Sequence, residues 1–164
     1  MPSSWKGIIA GFIATVVLSA IILAFNALGV LPELDIVHHI DKLGSIQIAA
    51  AWVDHFIVGT LLWGPIFSGF DATVDEKWPH WQKGLMFGVI AWFLMMLIFM
   101  PVIGAGLFGL QLGFVEPIGM LGLHLVYGLV LGVMFDLLDR RFPTKDSILP
   151  PPPPFAAEFS EKQD

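Results

Sequence analysis

The 164-residue sequence is 56% hydrophobic and 13% charged, with a mean hydropathy of +0.79, which leaves too little polar surface to solvate a water-soluble domain of this length. A net charge of −6 and a pI near 5.2 exclude a nucleic-acid partner, because phosphate binding needs clustered Lys and Arg. Cysteine is absent, so disulfides, thiolate metal sites, cysteine nucleophiles and covalent c-type haem attachment are excluded, and imidazole and carboxylate remain as the strong ligands.

The apolar residues collect into four blocks of about 20 residues, the length that crosses roughly 30 Å of hydrocarbon. The expected fold is all-α, with four transmembrane helices in a compact bundle. The first helix is predicted over Gly7–Leu28, with Ser3 or Ser4 as N-cap and Trp5 and Lys6 as interface anchors. It is longer than a signal-peptide core and no small-x-small cleavage site follows, so a retained helix is expected. In the polar stretch Gly29–Ser45, Pro32-Glu33-Leu34-Asp35 resembles a helix start. Ile36, Ile40 and Leu43 then recur at amphipathic spacing, which predicts a short helix lying on the outer membrane surface.

The second helix is predicted over Ile46–Phe67, with a kink near Pro65. A polar loop from Asp71 to Lys83 leads to the third, Gly84–Ile103, after which Pro101 and glycines 104, 106, 109 and 113 loosen the chain. The fourth is predicted over Pro117–Leu138, with Pro117 suited to the first turn. Residues 1–140 thus read as the transmembrane domain and 141–164 as a Pro-rich tail. Its five consecutive prolines, Pro150–Pro154, favour a polyproline II rod, read either as a solvated tail or as a docking segment for a partner.

Seven of the eight Lys and Arg residues (Lys6, Lys77, Lys83, Arg140, Arg141, Lys145 and Lys162) fall on one side of this topology, and Lys42 alone on the other. The positive-inside bias therefore predicts cytoplasmic N- and C-termini.

The two halves of the chain look alike. Lys6-Gly7-Ile8-Ile9-Ala10-Gly11-Phe12-Ile13-Ala14 aligns with Lys83-Gly84-Leu85-Met86-Phe87-Gly88-Val89-Ile90-Ala91, and His55-Phe56-Ile57-Val58-Gly59 with His124-Leu125-Val126-Tyr127-Gly128. This reads as two tandem helical hairpins, 6–70 and 83–139, related by a pseudo-twofold axis along the membrane normal. Gly7/Gly11, Gly84/Gly88 and Gly128/Gly132 are small-xxx-small pairs expected at helix crossings.

His55 and His124 are the candidate cofactor-binding residues, since both fall roughly 10 Å into helices that start at the outer face. An interhelical hydrogen bond, axial ligation of haem b or another metal, and proton handling all fit such intramembrane imidazoles. Asp54 lies about 100° around the helix from His55 and must be paired, protonated or near interfacial water. With His38, His39 and Glu116 it forms the candidate set for a divalent metal, against the plainer reading of a solvated acidic outer surface. Gly104-Ala105-Gly106-Leu107-Phe108-Gly109 spells GxGxxG, but it follows a membrane helix rather than a strand, so no nucleotide site is expected. HExxH, GxSxG and Walker A patterns are absent, which predicts a protein that is not an enzyme.

The KGhhxGhhA layout and the outer-side histidine followed four residues later by glycine, carried by Gly7, Gly11, Gly84, Gly88, His124, Tyr127 and Gly128, resemble the YagU-like group of small bacterial inner-membrane proteins of unknown function. The resemblance covers the four helices but not the tail, and it implies a multi-pass location in the bacterial cytoplasmic membrane without supplying an activity. The expectation is a non-catalytic accessory subunit whose partners are the lipid bilayer and other membrane-protein subunits, with no bound cofactor. A b-type haem or metal-binding electron carrier is the second reading, and a small proton-linked transporter or channel the third.

Overall fold

The computed structural model describes the backbone of residues 4–29 and 45–143, and their side chains apart from 45–48. The expected interfacial helix, with His38, His39 and Lys42, and the Pro-rich tail from residue 144 onward lie outside the described residues. Among those described, every regular element is helical. Four helices are long and apolar enough to cross a membrane: Ser4–Leu28, Ala49–Thr73, His80–Val102 and Val115–Arg141, called here the first to fourth spans.

Each span ends where the sequence removes helical options. Gly29 adopts φ 62° and donates its N–H to the Asn26 carbonyl, closing the first span with a left-handed residue that only glycine takes without strain. The second span runs past the expected Phe67 to Thr73, and extended Val74 stops it. Asp75 organises the tight connection, its carboxylate accepting from the Lys77 N–H (2.9 Å) and its carbonyl from the Trp78 N–H (3.0 Å). The third span therefore begins at His80, earlier than the expected Gly84. Beyond it, Gly104, Gly106, Gly109 and Gly113 all have positive φ, as does Phe108 at 56°. The GxGxxG stretch is thus a reversal of direction at a span end, directly preceded by helix rather than strand. In the last turn of the fourth span, Arg140 and Arg141 complement the negative end of the helix dipole.

Two of the three prolines inside the spans, Pro65 and Pro101, are met by a common device, while Pro117 sits in the first turn of the fourth span. Val58–Trp63 and Met95–Phe99 are π-helical, and each lies just ahead of a proline, Pro65 and Pro101. Proline lacks an N–H and its ring crowds the carbonyl four residues earlier, here Leu61 and Leu97. A wider turn carries that carbonyl aside, and α-helix resumes at Gly64 and Met100. The widening falls where a kink is expected, just ahead of Pro65.

The spans approach at glycines. A Cβ on Gly11 would sit 2.7 Å from the Gly59 carbonyl oxygen, and one on Gly7 or Gly64 would collide with the other's backbone. Gly84 and Gly88 meet Gly128, Gly132 and the His124 carbonyl in the same way. The first span thus packs along the second and the third along the fourth, while the first also packs along the fourth. The second and third spans meet largely through rings: Phe87 contacts Trp63, Phe67 and Phe70 at centroid distances of 5.7, 5.4 and 5.6 Å. Phe67 in turn meets Phe135 edge-on at 5.4 Å. Ala10, Ala14 and Leu131 complete this fully buried centre.

Backbone in contact with backbone cannot be relieved by a rotamer change. Gly84→Ala and Gly128→Ala should each lower stability by about 1–3 kcal/mol. Gly122→Ala, whose Cβ would enter open space, should be neutral or stabilise by up to about 1 kcal/mol. Thermal unfolding of the three variants in one detergent measures the contrast, and equal midpoints would refute the crossing geometry.

Candidate functional site

At 1.5 Å per residue His55 lies about 15 Å from Ser45 and His124 about 14 Å from Val115, the starts of their helices. His124 Nδ1 lies 2.7 Å from the Met120 carbonyl oxygen, one turn back, so with the proton on Nδ1 the ring is anchored and Nε2 presents a lone pair. His55 is held between the edges of Trp52 (5.8 Å) and Phe56 (5.9 Å), and its Nε2 is buried with no hydrogen-bond partner among the described residues.

Of the other candidate ligands, His38 and His39 lie outside the described residues. Asp54 is exposed on the surface of the second span, and Glu116 is 2% exposed in the first turn of the fourth, against the Leu107–Gly109 turn. Among the described residues, no three of His, Asp and Glu come close enough together to hold a metal ion. An apolar groove of ≈ 440 Å³ opens on the face of the first and second spans, with Phe12, Trp52, Phe56 and Thr60 in its walls. Thr60 Oγ1 at its edge is also buried without a partner.

Midway along the bundle three spans meet at one carbonyl. The Tyr127 hydroxyl donates to the Gly59 carbonyl oxygen at 2.6 Å, while the Thr15 hydroxyl, which donates to Gly11 (2.8 Å), fills the space that a Cβ on Gly59 would need.

The opposite end of the bundle carries a charged cluster that sequence reading did not assemble. Lys6, expected as an interface anchor, is 1% exposed, and its Nζ lies 2.6 Å from Asp139 Oδ1. Lys83, expected in a loop, is likewise buried. Its Nζ lies 3.5 Å from Asp71 Oδ1 and donates to the Asp71 and Val74 carbonyls at 3.0 and 3.2 Å. His80 Nδ1 lies 2.6 Å from the same Asp71 oxygen, its Nε2 4.0 Å from Asp136 Oδ1, and Arg140 braces Asp136 one turn away at 2.9 Å. The signal available beforehand was the aspartate at the end of each apolar run, Asp71 and Asp139. Hydropathy alone ends the second helix at Phe67 and leaves Asp71 in a loop, whereas the helix runs on to Thr73.

Removing one partner of a buried ion pair strands the other charge, whereas replacing the buried lysine with an apolar chain of similar length does not. Asp139→Asn should therefore destabilise more than Lys6→Met. Because Asp139 is 39% exposed, its loss should cost only on the order of 2 kcal/mol. Thermal unfolding in detergent ranks the two, and the reverse order would mean that water already solvates the lysine.

Comparisons with curated proteins and with solved structures return no match. One family does match, over residues 1–146, which takes in all four spans, both imidazoles and the charged cluster. The chain accordingly belongs to the family of unknown function DUF6789.

Proposed function

We propose that the protein is a non-catalytic subunit of a larger complex in the bacterial cytoplasmic membrane, a four-span bundle of two tandem hairpins with both termini cytoplasmic. The observation that carries this reading is the bundle interior. Between the charged cluster and the imidazoles it is filled by Ala10, Ala14, Phe67, Phe87, Leu131 and Phe135, and the Tyr127 hydroxyl is committed to the Gly59 carbonyl. Such an interior offers no continuous polar path for a solute, which weighs against the transporter reading. The sidedness rests on the positive-inside bias, and the docking reading of the tail rests on its run of five prolines, a composition that favours polyproline II.

The hairpin reading is supported by reciprocity. If Lys6 corresponds to Lys83 and Asp139 to Asp71, a twofold axis turns the Lys6–Asp139 pair into the Lys83–Asp71 pair, and both pairs are present. Phe67 and Phe135, equivalent under the same operation, face each other. The correspondence slips by one residue inside the second span. His55 and Gly59 match His124 and Gly128, but Gly64, Phe67 and Asp71 match Gly132, Phe135 and Asp139. The slip falls within Val58–Trp63, where the π-helix repeats at five residues and so accommodates the extra one.

Extraction from native membrane in mild detergent, followed by size analysis and mass spectrometry, should recover the chain with other membrane proteins, and truncation before the proline run should weaken that association. A monodisperse monomer from native membrane would end the proposal.

A second reading is favoured by the imidazoles. An anchored His124 and an unpartnered His55 Nε2 at equivalent repeat positions resemble an axial pair for a b-type haem, which brings its own equatorial ligands, or a two-ligand site for a transition metal. That reading predicts a Soret band, or a stoichiometric metal, lost in both His55→Ala and His124→Ala. Purified protein with neither signal would dispose of it.

A further inference from the structure

We infer that His80 is a proton-operated latch tying the second span to the fourth. Its ring stands between two carboxylates from different spans, Asp71 near the end of the second and Asp136 near the end of the fourth, with Nδ1 at 2.6 Å from one and Nε2 at 4.0 Å from the other. The ring also packs against Phe135, at 5.5 Å between centroids and 57° between planes, which keeps both nitrogens directed along this line.

A neutral imidazole carries one N–H. Whichever nitrogen holds it, the other turns a lone pair toward a carboxylate. A second proton converts that repulsive contact into a charge-assisted hydrogen bond and puts a positive charge between the two anions. The connection from Asp71 through His80 to Asp136 is complete only in this state. The 4.0 Å separation at Nε2 is longer than a hydrogen bond, whereas the 2.6 Å contact at Nδ1 is already made. Closing the latch therefore means drawing the end of the fourth span toward His80.

The surrounding charges set the terms of this switch. Lys83 Nζ, 3.5 Å from the same Asp71 oxygen, opposes a second cation beside it. Arg140 shares Asp136, donating through Nε at 3.0 Å with Nη2 at 2.9 Å from the other carboxylate oxygen. Lys6 and Asp139 neutralise each other on the first and fourth spans. With Asp71 beside Lys83 and Asp136 beside Arg140, His80 is the imidazole of the cluster, the side-chain type that takes up a proton nearest neutral pH. Its side chain is 25% exposed, so water delivers the proton without opening the bundle. The inference concerns this end of the bundle alone and stands whatever the partner of the complex is.

The linkage has one sign. The contact contributed by the doubly protonated ring is present at low pH and is lost as pH rises through the His80 titration. Full-length protein in one detergent, unfolded thermally from about pH 5.5 to about pH 8.5, spans that range. Wild type should lose stability across it by more than His80→Gln, whose amide keeps a donor and an acceptor but gains no proton. Ring NMR of His80 supplies a second readout that does not need the glutamine variant to fold. In Asp136→Asn the ring should release its proton several-fold more readily than in wild type. Equal pH slopes in wild type and His80→Gln, or a His80 titration indifferent to Asp136→Asn, would overturn the latch.

Discussion

The rest of the architecture depends on backbone meeting backbone at glycine. Where lipid tails are as apolar as leucine, helices gain little by hiding side chains from their surroundings, and close packing with polar links selects one arrangement. Gly7 and Gly11 against Gly59 and Gly64, and Gly84 and Gly88 against Gly128 and Gly132, bring the helix pairs to contact distance. Those crossings also position the chemistry. Lys6 and Lys83 immediately precede Gly7 and Gly84, while Asp71 and Asp139 each follow Gly64 and Gly132 by two helical turns. A methyl group at a crossing would move the charged cluster as well as the helices.

The charged cluster has a different energetic character. Two lysines withdrawn from water carry a desolvation cost that their aspartates offset without a large surplus, so the cluster contributes more to specifying the arrangement than to net stability. Both lysine pairs join different spans, Lys6 on the first to Asp139 on the fourth, and Lys83 on the third to Asp71 on the second across the Val74–Pro79 turn. Helix pairs assembled with the wrong partner would leave a buried ammonium group without a counter-ion. The same placement puts His80 between two carboxylates, where one proton decides whether a contact is attractive.

The π-helical segments link the two themes. Proline in a span would ordinarily strip the helix of a hydrogen bond and crowd the preceding turn. Widening at Val58–Trp63 accommodates Pro65 and also sets Gly59 and Gly64, five residues apart, against the first span, where Gly128 and Gly132, four apart, serve the third. The Tyr127 hydroxyl reaches the Gly59 carbonyl within this widened stretch.

Sequence by itself determined the class of molecule and the number of long apolar helices, because hydropathy over about 20 residues is a local property that needs no partner. It also fixed the glycine spacing at the crossings and singled out His55 and His124, since small residues and imidazoles stand out against an apolar background. The span limits near Asp71 and His80 were not legible, because the helix continues into polar residues wherever tertiary partners satisfy them. Only the tertiary structure decided that Lys6 and Lys83 are buried, that Lys6 pairs with Asp139, and that His80 stands between Asp71 and Asp136. A charge shows its sign in the sequence, but its partner is set by which helices cross and at what register. Here a single extra residue in a π turn shifts that register out of the reach of pattern reading.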